Sequence, residues 1–301
     1  MKKLLSILAA CLVMSLPTFS SAVETAKFVF TKAIYFDDKG AGIKYPEGVA
    51  CDNKNLLIVA DTQNNRLLRY TVKDGSVTGG SEIKIPELSF PLKVQVNSKG
   101  EIFVLNDKPI RILRLSPEGE FKGYVTIEDL PAPSTFIPRS FKIGSDDSMY
   151  ILDIFSSRVI VLGPDNKFQR AVAFPPEYGF FSDLAIDTAG NILLIDTLNA
   201  QLFIAAKGAA AFSPFSKTEK AYLDFPTNLI IDNRGFIYVI DQNGAGVGVF
   251  GKDGSFVNRQ LTFGWSEGLL RYPSQICITD KGDAFIADKD NNRVQIFRIA
   301  R

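Results

Sequence analysis

Tyr272-Pro273-Ser274-Gln275-Ile276-Cys277-Ile278 opens a segment that continues through Ala284-Phe285-Ile286-Ala287-Asp288 to Asn291-Asn292-Arg293-Val294-Gln295-Ile296-Phe297. Three short apolar runs are separated by polar, glycine-bearing turns, which is a strand pattern and too broken for a helix. Pro273 stands 15 residues before Asp288, and Arg293 stands five after it. The same ruler can be laid along the rest of the chain. Apolar runs end at Asp61, Asn106, Asp153, Asp196, Asp241 and Asp288, at intervals of 45, 47, 43, 45 and 47 residues. Fifteen residues before each anchor stand Pro46, Pro91, Pro138, Phe181, Pro226 and Pro273, each preceded by a large apolar residue: Tyr45, Phe90, Ile137, Phe180, Phe225, Tyr272. Five residues after it come Arg66, Arg111, Arg158, Gln201, Gly246 and Arg293.

A fixed period near 45 residues is the mark of a repeat architecture. Each unit predicts four short antiparallel strands. Tight turns such as Lys73-Asp74-Gly75 and Lys252-Asp253-Gly254 supply residues able to take positive φ. That is one blade of a β-propeller, and six copies predict an all-β, six-bladed ring. The chain ends just past the third strand of the sixth unit. The strand-like segment 27–35 is therefore expected to complete the last blade beside Val294 to Ile299 and hide its edge.

The pattern resembles the NHL repeat: Pro-x-x-apolar-x-x-Asp, then Gly-x-apolar-Tyr-Val-x-Asp, then Asn-Asn-Arg-apolar-x-x-Phe. The sixth copy matches nearly end to end, and the first carries Pro46, Asp52, Asp61 and Asn64-Asn65-Arg66. The resemblance spans about residues 45–301. It implies a propeller that mediates interactions.

Export is expected. Lys2 and Lys3 precede an apolar run, Leu4 to Leu16, and the small residues Ser20-Ser21-Ala22 suit cleavage after Ala22, leaving a single domain over 23–301. Lipidation at Cys11 is the less favoured alternative, and the apolar run is too short to span a bilayer, which takes about 20 residues. The mature chain carries a net charge of −1 once Lys2 and Lys3 are gone. Nucleic acid is therefore not an expected partner.

The 301-residue chain contains no histidine. That excludes Ser–His–Asp and Cys–His catalysis and His-ligated zinc, and with them the amidating-lyase and virginiamycin-lyase relatives of the fold. The anchors recur too often to be catalysts. Asp61, Asn106, Asp153, Asp196, Asp241 and Asp288 are expected to organise the loops that follow, with Arg66, Arg111, Arg158 and Arg293 pairing to them. Cys51 and Cys277 fall in the first strands of neighbouring blades. Packed sheets lie about 10 Å apart and a disulfide needs Cα atoms within about 7 Å, so two buried thiols are expected.

Length varies only in the blade linkers, which share a face with the loops after the anchors. Tyr178, Phe180, Trp265 and Tyr272 make that face the expected binding surface, for a protein or a glycan. Just inside it, a polar ring is expected at the channel mouth: Glu47, Lys93, Arg139, Asp183, Asn228 and Gln275, with Gly48 and Ser140 completing the positions. The expected function is non-enzymatic binding or scaffolding, with no cofactor and no metal. The alternative is a divalent-cation-dependent hydrolase or lactonase. Gluconolactonase-like propellers, which this chain resembles in architecture, hold such an ion with Glu, Asn and Asp, and Glu47, Asp183 and Asn228 give a similar set.

Overall fold

A computed structural model describes residues 26–300. The expected leader, its cleavage point after Ala22 and Cys11 lie outside them. Six four-stranded antiparallel sheets form the six blades. Blade 1 runs Gly48–Cys51, Leu56–Asp61, Arg66–Lys73 and Ser76–Ile83. Blade 2 begins at Pro91–Val96, blade 3 at Pro138–Ile143, blade 4 at Phe181–Ile186, blade 5 at Pro226–Ile231 and blade 6 at Pro273–Ile278. In every sheet these first strands stand at one edge, and they contact one another from blade to blade around the central channel.

Lys27–Ile34 is the fourth strand of blade 6. It pairs antiparallel with Arg293–Ala300, from Lys27 opposite Ala300 to Ile34 opposite Val294. The ring is thus closed by the two ends of the described chain, as the register requires.

Apolar side chains do not gather into one centre. They form six clusters, each wedged between two neighbouring blades. Val49, Leu57 and Leu68 of blade 1 meet Phe285, Val294 and Ile296 of blade 6, for example, and Ile34 joins them from the closing strand. A blade has no core of its own; each sheet buries both faces against neighbours, which explains why its second and third strands read as continuous apolar runs. No helix among the described residues is long and apolar enough to cross a membrane.

Cys51 and Cys277 are joined by a disulfide, with Cα atoms 5.9 Å apart. The expectation of two thiols is corrected. The 10 Å spacing holds where two sheets pack face to face, but the blades of a propeller converge toward the axis. Their innermost strands approach much more closely. At Gly48 a Cβ would stand 3.0 Å from the carbonyl oxygen of Leu92 and 3.2 Å from the Lys93 Cα, both in blade 2.

Candidate functional site

The anchor loops build one face of the ring. The Asp61 carboxylate accepts from the backbone N–H of Lys44, from Asn64 Nδ2 and from Arg66 Nε. Asp288 repeats this with Arg271 N–H, Asn291 Nδ2 and Arg293 Nε. The ion pairs Arg66–Asp61, Arg158–Asp153 and Arg293–Asp288 are 2.7, 3.0 and 2.6 Å long, with all six side chains almost fully buried. Asn106 is neutral, and the Arg111 guanidinium lies instead over the Tyr124 ring. Blade 4 has Gln201 at that position, and Asp196 accepts from Asn199 Nδ2 and four backbone N–H groups.

Blade 5 shows a replacement the ruler did not reveal. Gly246 stands where Arg is expected, and Arg259 from the fourth strand reaches Asp241 from there, at 3.6 Å. A Cβ on Gly246 would meet the Arg259 guanidinium at 2.7 Å, so the glycine makes the room.

The second Asn of Asn64-Asn65-Arg66 has a separate task. Asn65 and Asn292 adopt left-handed backbone, at φ 53° and 52°, a region open to Asn at low cost. Their side chains accept hydrogen bonds from the next blade's linker: Asn65 Oδ1 from Phe90 N–H at 2.7 Å, and Asn292 Oδ1 from Tyr45 N–H at 2.8 Å. Ser157, Ala200 and Ala245 take the same conformation in blades 3, 4 and 5. Thr62 and Thr197 add blade-to-blade bonds to the carbonyls of Pro91 and Pro226.

The linkers meet on this face, and it gathers most of the exposed large apolar side chains. Eleven large hydrophobic residues are exposed among the described residues, and ten of them lie in these linkers or anchor loops: Phe36, Ile110, Ile154, Phe155, Tyr178, Leu198, Tyr222, Phe263, Trp265 and Tyr272. The exception is Val29, on the closing strand. Trp265 is 65% exposed, with Phe263 edge-on to its ring and the Arg271 guanidinium over it. Tyr178 stacks on buried Phe181, and half-buried Phe180 lies beneath Arg139. Ile154, Phe155, Leu198 and Tyr222 were missed in the sequence. Their signal is an apolar residue directly after the anchor, where blades 1 and 6 have Gln63 and Lys289-Asp290, or beside the linker's end.

The expected channel ring closes on itself. Asp183, fully buried, accepts hydrogen bonds from Ser140 of blade 3 and Asn228 of blade 5, and from the Leu229 N–H at 3.1 Å. The motif travels onward: Asn228 Oδ1 accepts from Ile276 N–H at 3.0 Å, and Gln275 Oε1 from Val49 N–H at 3.4 Å. Each of these three side chains thus satisfies a backbone N–H of the next blade. Lys93 and Lys142 approach Asp183 at 3.4 and 3.6 Å. Burial alone pushes the Asp183 carboxyl up, but the two ammonium groups, Ser140 and the Leu229 N–H outweigh it and hold it below the usual carboxylate range. Burial, with Lys142 and Arg139, pushes Lys93 below the usual lysine range despite Asp183. Lys142 also escaped the sequence reading. It is a lone charge in Phe141-Lys142-Ile143, two residues after Ser140 on the same face of the strand.

Glu47, Asp183 and Asn228 do not fit a divalent cation. Asp183 already faces two ammonium groups, Asn228 is spent on both sides, and Glu47 stands 3.8 Å from Lys289 Nζ. A cation there would stand beside the ammonium groups of Lys93, Lys142 or Lys289.

Beyond this plug the channel widens into a cavity of about 440 Å³ on the opposite face. Its wall is formed by the later residues of the first strands, among them Ala50, Gln95, Lys142, Ala185, Ile230 and the Cys51–Cys277 bridge. Its rim is the turns at 144–146 and 187–190.

The NHL repeat matches residues 270–297, the segment with the most complete ruler. A search of curated proteins returns no match. Among solved structures, the chain is similar to a gluconolactonase from Xanthomonas campestris, at 16% identity and TM-score 0.67, covering 92% of this chain and 99% of that one. It is similar to a catalytically inactive histidine-to-alanine virginiamycin B lyase from Staphylococcus aureus, solved with quinupristin, at 14% identity and TM-score 0.64, covering 92% and 100%. The WD40 propeller domain of Doa1 aligns at 11% identity and TM-score 0.63, covering 91% and 97%. Proteins this different in kind at one level of similarity share the fold, and function must be argued from the site.

Proposed function

We propose that this chain is an exported, non-enzymatic binding propeller that docks a protein or glycan through its linker and anchor-loop face. The observation that carries the reading is the segregation of exposed apolar side chains: ten of eleven lie on that one face. Exposed apolar side chains gathered on one face mark interaction sites, and aromatic anchors dominate binding energy. Cations lie over rings there as well, Lys108 over Phe90 and Lys289 over Tyr45, so the face offers amphipathic contacts.

Two features of the chain weigh against catalysis. The chain has no histidine, whereas loss of one histidine accompanies inactivity in the virginiamycin B lyase variant. The carboxylates that would hold a lactonase-type cation are occupied by lysines. Export is supported by the leader-like segment and by the disulfide, since such bonds persist in oxidising compartments.

The test is capture from a native envelope extract on immobilised wild-type protein, Trp265→Ala, Phe155→Ala and Val29→Ser. Each face variant is expected to weaken capture by about tenfold or more without lowering the melting temperature, and Val29→Ser to change nothing. Protease treatment of the extract abolishes capture of a protein, and glycosidase treatment that of a glycan. Equal capture by all four proteins overturns the reading.

A further inference from the structure

We propose that the cavity opposite the docking face binds a monoanionic carboxylate with a compact apolar body, held by Lys142. At the inner end of the cavity two lysines, Lys93 and Lys142, share one acid, Asp183. The three side chains are 15%, 10% and 0% exposed, so solvent screens them weakly. Arg139 acts on Lys93 with the same sign. Two lysines thus face one carboxylate in a site where burial is expensive for a lone ion.

Of these two lysines it is Lys142 that lines the cavity, whereas Lys93 and Asp183 do not. Around it the surface is of two kinds. Val49, Ala50, Ala185, Ile230 and Ile276 supply apolar area, and Gln95 and Gln275 supply amides. The charged groups at the rim are Asp146, Asp187 and Lys207. Both acids are engaged in their own turns: Asp146 accepts from Ser148 N–H, and Asp187 from the N–H groups of Ala189 and Asn191.

At about 440 Å³ the cavity falls within the size range of small-molecule sites, and its lining is mixed, slightly more polar than apolar. One anionic head on Lys142 adds a second acid to the two lysines, and one compact apolar body covers Val49, Ala50, Ala185, Ile230 and Ile276. A dianion would overcompensate beside Asp183, and a cation would meet Lys142. The cavity opens away from the docking face, so this inference stands or falls independently of the proposed function.

The experiment compares sodium hexanoate, hexanol, hexylamine and acetate by calorimetric titration and melting shift, on the intact oxidised protein. Hexanoate is expected to bind and raise the melting temperature. Hexanol, with the same body and no charge, and acetate, with the charge and no body, are each expected to bind at least about tenfold more weakly, as a charge-assisted hydrogen bond or a buried alkyl chain implies. Hexylamine is expected to give no shift. Lys142→Met keeps the stem and removes the charge, and should bring hexanoate and hexanol within about twofold of each other; Lys142→Arg should restore the preference. The ligand series on the wild type tests the proposal even if Lys142→Met fails to fold. Hexanoate binding no better than hexanol, or equally well to a folded Lys142→Met, overturns it.

Discussion

Single residues in the anchor loops do work that a strand pattern alone does not explain. The tripeptide Asn64-Asn65-Arg66 divides three tasks: Asn64 and Arg66 fix the Asp61 carboxylate, and Asn65 turns the chain left-handed and holds the next blade's linker. Asn65→Ala should therefore lose both a conformation that Asn tolerates and a hydrogen bond. The expected loss is about 1–2 kcal/mol in urea unfolding. Asn65→Gly keeps the backbone conformation and should lose less, about 0.5–1 kcal/mol. Equal losses would mean that only the Phe90 contact matters. Asp183 makes the second residue-scale prediction. Its carboxyl is held low in the folded protein, so its stabilising contribution is complete above the unfolded value near 3.9 and drains away as pH falls through the folded one. Melting temperature should fall on acidification below about pH 4. Asp183→Asn should start lower, since it strands two buried lysines at a cost of about 3–5 kcal/mol, and show a shallower acid slope. Asp37 and Glu101, also held low, should maintain some of that slope in the variant.

At the scale of elements, the closing strand Lys27–Ile34 can be removed without cutting the connection between any other strands. It covers the edge of Arg293–Ala300 and contributes Phe28 and Ile34 to the clusters on the two sides of blade 6. Deleting residues 27–34 should expose that edge and two apolar wedges at once. Concentration-dependent aggregation is the expected result, seen by light scattering. A soluble deletion variant with a single cooperative transition would contradict this. The strands and their closure were legible in the sequence because every blade repeats the same periodicity, and six weak signals in one register amount to a strong one. What stayed hidden departs from the ruler. Arg259 serves Asp241 from another strand, and Lys142 lies in the channel at a position that is Ala50, Gln95, Ala185, Ile230 or Cys277 in the other blades. The apolar residues of the linker face were half legible. The linkers announced Tyr178, Trp265 and Tyr272, but Phe155 and Leu198 sit in anchor loops whose other copies are polar.

The whole molecule is a ring, and its seam is secured twice, by the closing strand and by the Cys51–Cys277 bridge. The bridge was not legible from the spacing of flat sheets, because these strands converge on an axis. A cross-link spanning 226 residues of sequence removes much entropy from the unfolded chain, about 5 kcal/mol in the chain-entropy picture. Cys51→Ser with Cys277→Ser should therefore lower the melting temperature by several degrees or more, with blade content by circular dichroism unchanged at low temperature.

That bridge also decides how the molecule answers to force. Lys27 faces Ala300 across the seam, so tension between these two residues unzips the closing strand one pair at a time, the weak direction for a sheet. Peeling can run inward only as far as the cysteines. Segments 27–50 and 278–300 extend, by roughly 160 Å at about 3.4 Å per residue, while everything between Cys51 and Cys277 is bypassed by the covalent link and bears no tension. A pulled molecule should give early at its seam and then stop short, with most of its blades still folded. In a reducing buffer the same pull should run on through the whole ring.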